Sequence, residues 1–302
     1  SKEVRAQSPP VKANTQQIPY LRVEDMAGNV EYYTGEGLIV DNVKPDITIE
    51  LLDSEGNAAD ANMIFSGDVP FRILTEDPLG EETGAYSGIQ CVQYEIFMDG
   101  NRTAKAEYTV SGSNKGADFR QQSVLWDKNG EEPLMISAGD NNSNNVVIRV
   151  TAEDNAGNPE TTELPLKIDT TPPEISVEYD NHDVRNGRYF KDDRVMTVTY
   201  KERNFDEAGL TFDILGEDGT WEEGVTLPEL KEMDGFEFEA ECEDNQAEIS
   251  EAERTDEREI VYRIRFSGGE SGDKDYGIRL HARDMADNSD EGVNYDEEQA
   301  SE

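Results

Sequence analysis

Apolar residues in this chain recur at every second position over short stretches, and each stretch closes on turn-forming residues. Leu21 and Val23, Val150 and Ala152, and Leu280 and Ala282 stand four and two places before an aspartate. Each aspartate opens a similar phrase: Asp25-Met26-Ala27-Gly28-Asn29, Asp154-Asn155-Ala156-Gly157-Asn158 and Asp284-Met285-Ala286-Asp287-Asn288. A period of two predicts a half-buried strand that runs into a turn. In such a turn Asp and Asn bond nearby backbone groups and Gly supplies a positive φ. The phrases lie 129 and 130 residues apart (154 − 25 and 284 − 154), a spacing that marks tandem modules.

That spacing predicts a partial module or N-terminal remnant at 1–40, consisting of its last two strands, and complete modules at 41–169 and 170–302. Within 41–169, strands are expected at 47–51, 69–75, 89–98, 105–110, 133–137, 146–152 and 163–168, with a hairpin at Asp99-Gly100. The next module repeats the plan at 175–179, 195–200, 210–215, 260–266 and 276–282. Many short strands, frequent turn chemistry and no sustained helical period predict an all-β fold of antiparallel β-sandwiches. One stretch departs from the plan: 237–259 is acidic, with Glu241, Glu243, Asp244, Glu248, Glu251 and Glu253, and is expected to form a loop or short solvated helix. The Asp287 that replaces Gly in the last phrase puts the geometry of that turn in question.

Charge narrows the function. The chain of 302 residues carries 68 acidic and 27 basic side chains, a formal net charge of −41. Such a surface repels phosphate backbones and anionic lipid, so nucleic-acid partners and direct membrane contact are not expected, whereas cations are natural small partners. Its general effect is solvation of a long secreted molecule. The two cysteines, Cys91 and Cys242, fall in different modules, so no disulfide within a module is expected. There is no long apolar run, signal peptide or wall-sorting pattern, and the expectation is a fragment of a larger secreted parent.

Reactive constellations are sparse. His182 lies by a turn and His281 on the outward phase of a strand, and no Gly-x-Ser-x-Gly elbow, zinc spacing or phosphate loop occurs. Trp126 and Trp221 offer faces for a sugar or for ordinary packing, and they do not occupy equivalent positions in the modules. No enzymatic activity is expected.

The phrase strand-Asp-x-Ala-Gly-Asn, a following strand, and then Asp169-Thr170-Thr171-Pro172-Pro173-Glu174-Ile175 resembles the bacterial immunoglobulin-like repeats of secreted and surface-anchored proteins, large adhesins among them. Lys201-Glu202-Arg203-Asn204-Phe205-Asp206 and Tyr86-Ser87-Gly88-Ile89 are similar to phrases of such repeats. The resemblance covers about 18–290. It implies tandem immunoglobulin-like sandwiches in an elongated array, at the bacterial surface or secreted, monomeric as a fragment. It also implies a stalk, spacer or adhesive binding module, with a host or cell-surface protein or glycan as partner. Two alternatives stay open: a dedicated binder of a host immunoglobulin or glycoprotein, and an accessory region of a secreted carbohydrate-active enzyme.

In a sandwich of this kind the aspartate turn, the loop after the second strand and the incoming linker fall at one end, facing the module before. That predicts two acidic groups. One gathers Asp41, Asp154 and Asn158 with Glu76 or Asp77, the other Asp169, Asp284 and Asn288 with Glu202 or Asp206. Calcium seeks about six to eight oxygens, which carboxylates, Asn amides and backbone carbonyls can supply. Two readings follow: an interdomain calcium, as some repeats of the resembling family carry, or Asp and Asn simply satisfying their own turn backbone.

Overall fold

The computed structural model describes residues 15–79, 86–109, 121–124, 134–180, 192–215, 219–233, 236–244, 258–266 and 277–290. The chain falls into two compact units, one of Ser1–Asn62 with Asp68–Lys167 and the other of Met63–Gly67 with Ile168–Glu302. Both are built of antiparallel strands.

The first unit opens with β1 (Thr15–Gln17), β2 (Tyr20–Glu24), β3 (Val30–Thr34) and β4 (Leu38–Val40), which form two ribbons, β1 with β4 and β2 with β3. Every residue of β2 and β3 is exposed, Tyr20, Leu21 and Tyr32 included. Two strands alone bury too little apolar area to form a core. Next come β5 (Asp46–Leu51), β6 (Ile64–Phe65, grouped with the second unit), β7 (Val69–Glu76), β8 (Ile89–Met98), β9 (Asn101–Thr109), β10 (Gln121–Val124), β11 (Met135–Ile136), β12 (Ser143–Asp154) and β13 (Pro159–Ile168). One sheet is centred on β7, which pairs with β5, β10 and β11; the facing sheet runs β13-β12-β8-β9. Alternation buries Val69, Phe71 and Ile73 of β7 and Val146, Ile148 and Val150 of β12, and β8 adds buried Ile89, Val92 and Ile96. The Phe71 ring meets Tyr94 of β8 edge-on at 5.3 Å, tying one sheet to the other. Cys91, beside buried Val92, is a half-buried free thiol.

The second unit contains β14 (Glu174–Tyr179), β15 (Arg194–Glu202), β16 (Thr211–Leu215), β17 (Trp221–Thr226), helix α1 (Leu227–Glu232), β18 (Phe236–Asp244), β19 (Arg258–Phe266), β20 (Ile278–Arg283) and β21 (Ser289–Asp290). Its sheets run β14-β15-β19-β18 and β17-β16-β20-β21. Met196, Val198 and Tyr200 of β15 share one core with Phe212 and Ile214 of β16, Ile260 and Ile264 of β19, and Leu280 of β20. The apolar faces of the two sheets therefore close on each other as a sandwich.

Two expectations need correction here. The acidic stretch 237–259 is not a loop or helix at its start: β18 runs through Asp244 and pairs with β19, with Glu237 opposite Arg265 and Glu239 opposite Arg263 in the register. Residues 245–257 lie outside the described ones. The sequence also conceals α1, which is a single short helix. The Glu229 carboxylate accepts from the Thr226 N–H at 2.9 Å and its hydroxyl at 2.7 Å, and Leu227 and Leu230 enter the core.

Candidate metal centre

The aspartate phrases fold into one repeated turn. In the Asp154 copy, one carboxylate oxygen accepts from the N–H groups of Ala156 (2.8 Å) and Asn158 (2.9 Å), and the other accepts from the Asn158 amide (2.7 Å). The Asp25 and Asp284 copies make the same three bonds. So does Asp53, in Asp53-Ser54-Glu55-Gly56-Asn57, a fourth copy that lacks the preceding repeat spacing. Gly28, Gly56 and Gly157 stand at φ 83°, 84° and 88°, and Asp287 takes the same role at φ 63°. The replacement of Gly therefore leaves the turn intact, because Asp tolerates the left-handed region better than most residues. Asp287→Val is expected to destabilise by about 1–2 kcal/mol in urea unfolding, while Asp287→Gly stays within about 0.5 kcal/mol; equal losses would count against this account.

Where the copies differ is in what surrounds them. Asp25 and Asp53 are exposed; bonds from Asn29 and Asn57 respectively hold their carboxyls below the ordinary range. Asp154 and Asp284 are buried, at 0% and 1% exposure. Each sits in a group of three acids whose oxygens lie within 4.8 Å of one another: Asp41, Asp77 and Asp154 in the first unit, and Asp169, Glu202 and Asp284 in the second.

In the first group, Asp77 follows β7 in phase with its inward residues Val69, Phe71, Ile73 and Thr75, and is fully buried. One of its oxygens accepts from the N–H groups of Ser87 and Gly88. The other, Oδ1, has no hydrogen-bond partner, nor does the neighbouring Ser87 hydroxyl. Asp41 accepts from Val43 N–H (3.0 Å) and Ser87 N–H (2.8 Å), and its own carbonyl receives the Asn158 amide at 3.2 Å. Burial pushes the Asp77 carboxyl up, and the nearby Asp41 and Asp154 charges add to the rise. Among the described residues no Lys or Arg pairs with any of these three acids.

The second group has the same frame with different contents. The Asn288 amide reaches the Asp169 carbonyl at 2.8 Å, as Asn158 reaches Asp41. Asp169, fully buried, accepts from the Arg203 guanidinium at 2.8 Å, the Thr171 N–H at 3.1 Å and the Asn204 amide. Glu202 accepts from the Asn204 N–H at 2.7 Å. Burial, reinforced by Asp169 and Asp284, pushes its carboxyl up to about 7. Asp284 is likewise raised, by burial first, against its own turn bonds.

No family model and no curated protein matches the chain. Solved structures similar to it include the C-terminal domain of the antigen I/II-family protein AspA of Streptococcus pyogenes, at 8% identity and TM-score 0.35, covering 80% of this chain and 95% of that one. The C-terminal domain of the Streptococcus agalactiae polypeptide BspA is similar at 10% identity and TM-score 0.33, over 78% of this chain and 95% of that one. A bacterial ice-binding adhesin of 1.5 MDa is similar at 14% identity and TM-score 0.31, over 90% of this chain and 69% of that one.

Of the residues expected at these groups, the structure gathers Asp41, Asp77 and Asp154, and Asp169, Glu202 and Asp284. Asn158 and Asn288 stand beside them as donors to the aspartates and carbonyls, so their amide nitrogens face the groups. Glu76 is on the opposite phase of β7. Asp206 caps the turn Glu207–Gly209 instead, accepting from the Ala208 N–H at 3.0 Å. Elsewhere, His281 bonds Asp213 at 2.8 Å, and the Arg279 guanidinium covers the Trp221 ring at 3.8 Å. His182 and Trp126 lie outside the described residues. The first group offers oxygen donors alone, with neither nitrogen nor sulfur ligands, a set suited to a hard divalent cation.

Proposed function

We propose that this chain is a non-enzymatic segment of a bacterial surface or secreted protein, a stalk or spacer, and that calcium locks the incoming segment to the sandwich. The observation that carries the reading is Asp77 Oδ1, a buried carboxylate oxygen with no partner amid three acids. Burying unpaired negative charge is costly, and a bound cation removes that cost. The incoming segment contributes Asp41 and the last turn Asp154, so an ion there would tie residues far apart in sequence.

Strand order supports the immunoglobulin-like part. Lettered A, B, C, C′, D, E, F and G, strands β14 to β21 form an ABED sheet facing C′CFG. A structural role also suits the repeated aspartates, whose oxygens are engaged with backbone N–H groups and Asn amides. The net charge of −41 keeps such a module soluble and apart from like surfaces.

Calorimetry in calcium and in chelator tests the cation. With calcium at about a hundredfold over its dissociation constant, the gain is about 2.7 kcal/mol, and one transition should rise by roughly 5–10 °C. An unchanged midpoint would remove calcium from the proposal. For the spacer role, a pull-down from host secretions is expected to yield no stoichiometric partner; a saturable one would make the chain a dedicated binder.

A further inference from the structure

The two acidic groups look like copies, but their charge is balanced differently. At the end of β7 the buried acid Asp77 is followed by Pro78; at the end of β15 the buried acid Glu202 is followed by Arg203. Proline offers neither charge nor N–H. Arg203 donates to Asp169 Oδ1 at 2.8 Å and to the Ile168 carbonyl at 3.3 Å, and its side chain is 23% exposed. Asn204 adds a second donor to the other Asp169 oxygen, whereas the Asp41 carboxylate of the first unit accepts backbone N–H groups, those of Val43 and Ser87. Asp77 Oδ1 is the sole buried carboxylate oxygen without a partner among the described residues, and it belongs to the first group. An ion in the second group would have to displace the guanidinium from a fully buried carboxylate. In the first group it would meet three acids and, among the described residues, no paired Lys or Arg.

We infer that the chain binds one divalent cation, at Asp41, Asp77 and Asp154, and that Arg203 takes the place of a cation at Asp169, Glu202 and Asp284. One unit is thus dependent on calcium and the other carries its counter-charge within the chain. This rests on the cation reading proposed above.

Equilibrium dialysis of the full chain against calcium, at physiological salt to suppress loose binding to the acidic surface, gives the stoichiometry. One tight ion per chain is expected. Asp77→Asn should abolish it, with circular dichroism confirming that the variant folds. Glu202→Gln should keep it. Arg203→Gln should raise the count to two. Two ions on the unaltered chain would overturn the inequivalence while leaving the cation reading in place. No ion at all would overturn both. An ion lost in Glu202→Gln and retained in Asp77→Asn would reverse the assignment and so overturn it.

Discussion

Gly209→Ala is expected to destabilise the second unit by about 3 kcal/mol or more. A Cβ at this position would lie 2.1 Å from the Arg283 carbonyl oxygen and 3.0 Å from its carbon. These are backbone atoms at the end of β20, so no side chain can swing aside. The same carbonyl receives the buried Tyr200 hydroxyl at 3.2 Å, and the next residue is Asp284. Moving it would disturb the core and the acidic group together. Chemical unfolding followed by Trp221 fluorescence reads the loss. Gly219→Ala is the comparison: its φ is +80° but open space surrounds it, so only backbone strain of about 1 kcal/mol is expected. Equal losses for the two variants would refute the steric explanation.

The second unit is also expected to melt at a higher temperature near pH 5 than near pH 8 when measured in chelator. Glu202 is raised to about 7 from an ordinary 4.5, so the folded state holds its proton more tightly than the unfolded state does. Between those two values the folded state binds more protons, and stability therefore falls as pH rises. Above about pH 7 the whole penalty applies, on the order of 3 kcal/mol. Asp284, raised in the same direction, adds to the slope. Asp213 and Glu229 act oppositely. Burial tends to raise Asp213, but bonds from His281 and Gly224 outweigh it; Thr226 lowers Glu229. Their contributions are lost only as pH falls below the ordinary carboxylate range. The optimum should then lie in mild acid. Glu202→Gln keeps an acceptor for Asn204 while removing the charge, so it should raise the melting temperature near pH 8 and flatten most of the slope. A lower melting temperature for Glu202→Gln at that pH would show that the ionised carboxylate is stabilising after all.

Much of the site could be read from residue phase. The repeat spacing located Asp154 and Asp284, and the linkers supplied Asp41 and Asp169. The choice of Asp77 over Glu76, and of Glu202 over Asp206, was available from alternation: 69, 71, 73 and 75 are buried, as are 196, 198 and 200, so 77 and 202 continue inward. What charge concealed was β18. Phe236-Glu237-Phe238-Glu239 alternates as a strand should, but acids at an edge look like solvated loop until Arg263 and Arg265 appear opposite them. The Asp53 turn was hidden because it falls outside the repeat spacing, although it too follows a strand, β5. Arg203 could not be assigned from sequence, since nothing local distinguishes a surface arginine from one held by a carboxylate at the start of the module. The exposed Asp25 and Asp53 turns also separate two ideas that the sequence merges: the aspartate makes its turn unaided, and the acidic group is assembled by other elements.

The Asn158 amide on the Asp41 carbonyl, and Asn288 on that of Asp169, have a bearing on how each unit is made. These bonds join residues 117 and 119 positions apart. Long-range closures of this kind raise contact order and delay folding until nearly the whole module is present. During synthesis, the module cannot clasp its first residues before its closing turn has emerged. Each clasp therefore forms late, once both ends of its module are present.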